Sequence, residues 1–341
     1  MLKIRRFIPS DIKKLAQKIE FIEPANVYSI ISDRKFTFFP LSLFNDSMPL
    51  NMRFLEQNYV AVNKGELLGL IGLMPDNKHN TRWRINRLIL DQNNLDIGKQ
   101  LVNYVVNKYG GAGVQSFITA LESMQTETIA LFQNGCGFRY LSEIDIWKLK
   151  SNDVEKIKLD GYKIREIRSK DAEELLELDT FTLYPQFRVS LKKSKNDYKI
   201  SLKNSLLDYL RKYNPKKLVF INQERNEAEG FITIYSKDNL NFYVDILLSI
   251  TAQDYYEHVI SYISSVINST NSEAIIYIYE RKYYQSSAKL KTSLINLKFE
   301  KDKNFKLLVK DYWKPILTTN ENKKSSFIIL PDITSPACKK F

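Results

Sequence analysis

Two histidines, His79 and His258, and two cysteines, Cys136 and Cys338, are all that 341 residues offer of the side chains most used for nucleophilic or metal chemistry. A structural zinc site needs four such ligands brought together and a disulfide scaffold needs more cysteines, so neither is expected, and no metal is expected. His79 stands in Asp76-Asn77-Lys78-His79-Asn80, the composition of an exposed turn. His258, in Tyr255-Tyr256-Glu257-His258-Val259, has no serine or cysteine beside it to activate and reads as a helix-surface residue.

The chemistry left to the chain is anion binding and proton transfer. The apolar run ending Leu88-Ile89-Leu90 passes through Asp91-Gln92-Asn93-Asn94-Leu95-Asp96-Ile97 into a helical pattern from Gly98-Lys99 onward. A strand that turns into a helix aims unpaired N–H groups and the positive end of the helix dipole at one spot, a socket for a diphosphate. Gly98 lets backbone and ligand approach closely, and Lys99 and Arg87 add positive charge. Asp96 opposes it, although Asn94 and Asp96 tolerate the left-handed conformation that such a loop needs. The plainer reading is a strand–turn–helix unit that binds nothing. Glu122, just past the strand Val114 to Leu121, has two open roles: a general base beside a cleft, or a cap for the helix that follows. Tyr140 and Asp91 are secondary candidates.

The elements that must position these residues recur. Leu2 to Phe7 is a short strand followed by Pro9-Ser10-Asp11 and an amphipathic stretch over Ile12 to Ile19; Tyr162 to Ile167 is followed by Arg168-Ser169-Lys170-Asp171 and another over Ala172 to Leu178. A repeat of about 160 residues is too long for a solenoid unit and reads as two copies of one domain. The first copy runs strand, helix region, hairpin (Tyr59 to Val62, Leu67 to Leu73), strand (Trp83 to Leu90), helix (Gly98 to Lys108), strand (Val114 to Leu121), helix (Gln125 to Asn134), strand (Tyr140 to Leu149). The second repeats the order with a hairpin over Leu218 to Asn222 and Gly230 to Tyr235, a strand over Phe242 to Ile250, a helix over Ala252 to Ile267, a strand over Ala274 to Tyr279, helix to Leu297 and a strand over Phe305 to Asp311. The boundaries expected are 1–150 and 161–315, joined by a polar linker over 151–160, with a poorly ordered tail over 316–341.

With 44% hydrophobic and 12% aromatic residues the chain is globular, and no apolar run is long enough to span a bilayer. No secretory signal opens it, so a cytoplasmic location is expected. The charge of +12 is spread: 19 basic against 14 acidic residues in 1–150, 32 against 25 in 151–341. Nucleic-acid arms concentrate charge in blocks, so this pattern does not call for such a partner.

The element order resembles the GCN5-related N-acetyltransferase superfamily, and so do two local signatures: Leu88 to Leu101, and Ala130-Leu131-Phe132-Gln133-Asn134-Gly135-Cys136-Gly137-Phe138, similar to the family's helix ending in Gly-Phe. The resemblance implies a mixed α+β fold of two tandem domains, each a mostly antiparallel twisted sheet with helices on both faces. It implies acetyl-CoA as acyl donor and an amine as acceptor, with Leu88, Ile89 and Leu90 pairing with the pantetheine arm. The diphosphate falls to the loop Asn93-Asn94-Leu95-Asp96-Ile97-Gly98-Lys99, where Asn93, Asp96 and Gly98 take the places of Arg or Gln, Gly, and Gly or Ala. Only the last is kept. The family's tyrosine acid, four or five residues before Gly-Phe, falls on Gln133 and Phe132, neither of which donates a proton as a phenol does.

In the second copy the equivalent loop, Ser249 to Tyr255, has no glycine, its helix opens on bulky residues, and Leu297-Lys298-Phe299 stands where Gly-Phe would. It reads as a degenerate copy. The leading expectation is therefore an acyl-CoA-dependent N-acyltransferase acting by direct amine attack. The alternatives are a catalytically inactive ligand-sensing or protein-interaction module and a tRNA-dependent aminoacyl transferase. The acceptor is open, as is the choice between monomer and dimer.

Overall fold

The computed structural model describes residues 2–8, 10–12, 14, 56–91, 94–199, 215–236 and 238–312. The first half contains β1 (Lys3–Arg6), β2 (Gln57–Asn63), β3 (Glu66–Pro75), β4 (Arg82–Leu90), α1 (Leu95–Gly111), β5 (Ser116–Glu122), α2 (Thr126–Ala130) and β6 (Arg139–Lys150). A wider π-type turn over Leu131–Gly135 extends α2. The second half contains β7 (Tyr162–Glu166), α3 (Ala172–Thr182), α4 (Pro185–Leu191), α5 (Lys195–Tyr198), β8 (Lys216–Asn222), β9 (Glu227–Ser236), β10 (Asn241–Leu248), α6 (Tyr256–Thr270), β11 (Ile275–Arg281), α7 (Ser287–Asn296) and β12 (Glu300–Asp311). Of the helix expected over Ile12 to Ile19 only Ile12 and Lys14 are described, both helical, and the tail expected from 316 lies outside the described residues.

Local chemistry explains the element ends. The β2–β3 turn places Lys64 and Gly65 at φ of 48° and 85°, the two left-handed residues that a tight hairpin of matching twist requires. In α1, Leu101, Val102, Val105, Val106 and Tyr109 form one apolar stripe and are buried against Tyr59, Ile71, Leu88, Leu90 and Phe117. The opposite face of β5 carries Ile118 and Ala120, which share a core with Ala172, Leu175 and Leu178 of α3. Helices thus cover both faces.

The two sheets implied by the repeat are fused into one of twelve strands, ordered β1-β2-β3-β4-β5-β12-β6-β11-β10-β9-β8-β7 and antiparallel except for β4–β5 and β10–β11. Read from either edge the order is the same: five strands of one half, then the last strand of the other. At the centre Ile144 of β6 faces Phe305 of β12; outward, Phe305 faces Glu122 of β5 and Ile144 faces Arg281 of β11. These matched pairings relate the halves by a local two-fold, and neither half completes its sheet without a strand from the other.

Further contacts join the halves. Arg82 donates to the Ser190 carbonyl at 2.8 Å, Arg139 to Ser190 Oγ at 2.7 Å, and the Lys78 amide to Asp197 Oδ1 at 2.8 Å. The linker expected over 151–160 is fastened along α6: Ser264 Oγ donates to the Ser151 carbonyl at 2.6 Å, and Ser261 Oγ accepts from the Ile157 amide at 2.7 Å.

Candidate active site

The parallel pairing of β4 with β5 covers three positions, Arg82 with Ser116, Trp83 with Phe117 and Arg84 with Ile118. Beyond them β4 runs on to Leu90 paired with β3 alone, so a cleft opens between β4 and β5. An extra residue at Asn86, between the pairs Leu73–Ile85 and Gly72–Arg87, bulges β4 where the cleft begins. Thr119 Oγ1 donates to the Ile85 carbonyl at 3.0 Å and closes the narrow end.

The second half reveals which amides line this cleft. There β10 and β11 part after Asp245–Tyr279, and the Leu248 amide donates to the Tyr256 hydroxyl at 3.3 Å, so that N–H points into the second cleft. Leu248 is paired with Gly230 of β9 as Leu90 is with Gly69 of β3. Leu90 therefore aims its N–H into the first cleft, Leu88 does so two residues earlier, and Ile89 faces β3. Of the three strand residues expected to meet a ligand, Leu88 and Leu90 thus turn their amides towards the cleft and Ile89 does not.

At the head of α1 the Asn94 side chain accepts from the Ile97 amide at 3.2 Å, a cap. The amides of Leu95 and Asp96 then remain as first-turn donors with no acceptor inside the helix. Asn94, Asp96 and Lys99 are exposed, Leu95 is half-buried and Ile97 is buried. Asn93 lies outside the described residues.

Gly98 does not serve as the sequence suggested. It is buried, and a Cβ there would come within 2.8 Å of Leu131 Cδ2 and 2.9 Å of Leu90 Cδ1. The glycine lets α1 sit against β4 and the end of α2; it does not open a path to a phosphate. Eight residues past the glycine-paired leucine in each half stand Gly98 and Tyr256, so the plug of the second cleft occupies the place that Gly98 leaves to Leu131. Nor does Arg87 reach the head of α1. Strand alternation places Leu88 and Leu90 beneath α1 and Arg87 on the other face, where Nη2 lies 3.7 Å from Glu56 Oε1.

The far wall is Glu122 and the turn after it. Glu122 lies 3.5 Å from Lys303 Nζ, a residue of β12 and hence of the other half. The Ser123 amide donates to the Asn304 carbonyl at 2.9 Å, and Ser123 Oγ donates to Asn304 Oδ1. Glu122 itself makes no cap: the residue before α2 is Gln125, which makes no side-chain capping bond. The nitrogen and the oxygen of the Gln125 side-chain amide are buried without a hydrogen-bond partner among the described residues. Sequence reading passed over Gln125, whose only signal is a polar residue between a strand and a helix, and over Lys303, which only the strand exchange brings near.

Other residues singled out in the sequence stand apart from these walls or within the turns. Phe132 is fully buried, edge-on to Phe138 at 5.0 Å, and belongs to the core. Gln133 is half-buried on the turn above it. Burial pushes the Cys136 thiol up to about 11, which leaves it an inert core group. Tyr140 is two strands from β5, and burial together with Glu143 raises its pKa, so it stays protonated. His79 is exposed, and the Asp91 carbonyl accepts from the Asn94 amide at 3.1 Å as part of the turn.

The second cleft is closed from inside. The Tyr256 phenol, pushed up to about 12 by burial, also donates to Ser286 Oγ at 2.9 Å. Asp245 and Arg281 bridge the two walls at 2.8 Å. Between them remains a cavity of about 10 Å³ for the centre of a water, lined by Tyr279, Tyr284, Ser286 and Ser287 among others, which is space for about one molecule. In the connection that carries Gly137 in the first half, Lys298 takes the same left-handed backbone, φ 62° against 70°. Among the described residues no group of three or more potential metal ligands occurs, and no helix is long and apolar enough to cross a membrane.

No protein-family model matches the sequence, and no curated protein is similar to it. Solved structures are. A tandem GNAT protein from the clavulanic acid biosynthesis pathway, without AcCoA, superposes with a TM-score of 0.59 at 11% identity over 92% of this chain and 99% of its own. A GCN5-related N-acetyltransferase from Sphaerobacter thermophilus gives 0.58 at 10% identity over 91% and 96%. A putative acetyltransferase from Pyrococcus horikoshii gives 0.54 at 14% identity over 91% and 89%. The chain has the fold of the tandem GCN5-related N-acetyltransferases, with one cleft open and its twin closed.

Proposed function

We propose that the first half binds an acyl-CoA thioester in the β4–β5 cleft and passes its acyl group to an amine. The observation that carries this reading is the unpaired edge of β4. Leu88 and Leu90 present amides there as a strand edge does to an extended, amide-bearing arm, and the Gln125 amide lacks partners on the other side. Such an arm supplies the hydrogen bonds that both walls are missing.

The donor, when bound, supplies an acyl group activated as a thioester. The Leu88 and Leu90 amides are preorganised donors for charge that develops on a carbonyl oxygen. Glu122, at the end of the opposite wall and 3.5 Å from Lys303 Nζ, takes the proton that the attacking amine sheds. No phenol stands where the departing thiolate would look for a proton, so water supplies it. The Leu95 and Asp96 amides with Lys99 form the anion corner, weakened by the Asp96 carboxylate.

A second reading, a module that binds a CoA ester without turnover, is favoured by Phe132 in the place of the acid. Thiol release from acetyl-CoA in the presence of an amine panel separates the two. Turnover by the intact chain, lowered about 100-fold or more in Glu122→Gln, supports transfer. Donor binding with no thiol released by any amine establishes the binding module.

A further inference from the structure

Past Glu122 the chain leaves the sheet, and what fixes it there comes from the other half. The β5–β12 ladder ends on the pair Glu122–Phe305, and one more bond follows, from the Ser123 amide to the Asn304 carbonyl at 2.9 Å. Met124 is then 86% exposed, and the amides of Gln125 and Thr126 turn back to the carbonyls of Glu122 and Met124. Among the described residues, Asn304 is therefore what hydrogen-bonds Ser123 from outside the turn. It does so twice, through its carbonyl and through Oδ1, which accepts from Ser123 Oγ.

The Asn304 side chain is itself held in one orientation. Its Nδ2 donates to Asp145 Oδ1 and, at 3.3 Å, to Glu143 Oε2. The bond from Lys282 holds the Glu143 pKa below its ordinary value. Burial acts to raise the Asp145 pKa, but bonds from Asn304 and Lys301 outweigh it and lower the pKa. Ionised carboxylates only accept, so the Asn304 N–H groups face them and its oxygen faces Ser123. A chain of bonds thus runs from β6 through Asn304 to the residue after Glu122.

The second half pins the matching turn with charge. Glu122 and Arg281 correspond, since each faces one member of the central Phe305–Ile144 pair, so Ser123 matches Lys282 and Asn304 matches Glu143. The Lys282 amide donates to the Glu143 carbonyl at 3.1 Å, and the two side chains form an ion pair. The backbone bond is common to both halves, while the ion pair of the closed half is a neutral hydroxyl–amide pair in the open one. That neutral pair holds the turn without adding a charge to the residue next to Glu122.

We propose that Asn304 is a positioning residue of the first cleft, which sets the direction of Glu122 through Ser123, so that the base of one half is oriented by the other. This inference rests on the acyltransferase reading, in which Glu122 takes the proton of the amine.

The test measures kcat as thiol release from acetyl-CoA with the amine that the intact chain turns over fastest, and acetyl-CoA binding by calorimetry on the same proteins. Asn304→Ala and Ser123→Ala should each lower kcat about tenfold or more, the order of cost of a slightly misplaced catalytic group, with acetyl-CoA affinity unchanged. Ser123→Thr, which keeps the hydroxyl, should retain most of the rate. In a Glu122→Gln background Asn304→Ala should lower kcat no further, because it acts through a carboxylate that is already gone. Melting temperatures show which variants fold, and the two Ser123 variants decide the matter if Asn304→Ala does not. An unchanged kcat in Ser123→Ala, or the same loss from Asn304→Ala with and without the Glu122 carboxylate, overturns the inference and leaves the acyltransferase reading standing. No thiol release by the parent chain with any amine defeats both.

Discussion

A donor bound in the β4–β5 cleft, as proposed, would give partners to the Gln125 amide, which has none among the described residues. An amide buried with neither its N–H groups nor its oxygen bonded costs stability in the free protein, about 1–3 kcal/mol by the usual price of desolvation. Gln125→Leu should therefore raise the stability of the free protein, measured by denaturant unfolding, by an amount of that order. The same change should weaken acetyl-CoA binding, read by calorimetry. Loss of stability together with unchanged binding would show that the amide has structural partners and no ligand. At this scale the sequence marked the polar loop before α1 but not the work of its residues. Asn94, read as tolerating a left-handed backbone, holds φ of −68° and caps α1 with its side chain. Gly98 is a second such case. A glycine opening a helix after a strand is compatible with a ligand or with a neighbouring side chain, and Leu131, more than thirty residues away, decides between them.

At the scale of elements, strand and helix periodicity placed both hairpins and the strands on either side of α1 and α6. What it could not place was the exchange of β6 and β12. Each reads as an ordinary closing strand, and only pairing across the chain puts Phe305 beside Glu122 and Lys303 within reach of it. The connection from α7 into β12 offers an element-scale test. Lys298 is exposed and holds a left-handed backbone that costs a non-glycine residue about 1–2 kcal/mol, whereas the first half uses Gly137 at the same turn. Lys298→Gly should stabilise the chain, by about 1 kcal/mol once the greater freedom of glycine in the unfolded state is set against the relief. Gly137→Ala should destabilise it. Equal thermal midpoints for both variants and the parent would contradict this account of the turn.

For the whole molecule, the repeat was legible and the division of labour only partly so: the bulky residues opening α6 were evident, but not that Tyr256 reaches the Leu248 amide. The halves are held as one body by the shared sheet and by the charge cluster at Asp76. Burial acts to raise the pKa of this carboxyl, but Arg84 and Arg82 outweigh it and hold the group well below the usual carboxylate range. Its pKa is thus depressed on folding, so its contribution is present in full above the unfolded value of about 3.9 and is lost as pH falls below that. Asp76→Asn should leave Arg82 and Arg84 without their carboxylate beside the second half and cost about 3–5 kcal/mol near neutral pH, the toll of breaking a buried pair. The deficit relative to the parent should shrink as pH falls through the acid range. A deficit that does not change with pH would mean that shape, not charge, is what Asp76 supplies.

The central claim is that one cleft of the pair is open to an acyl thioester and the other is filled by the chain itself. Titration calorimetry of the intact chain with acetyl-CoA measures this directly, because it counts sites. The structure predicts a single site per chain. No heat and no thermal shift would contradict the open cleft, and two sites per chain would contradict the closed one.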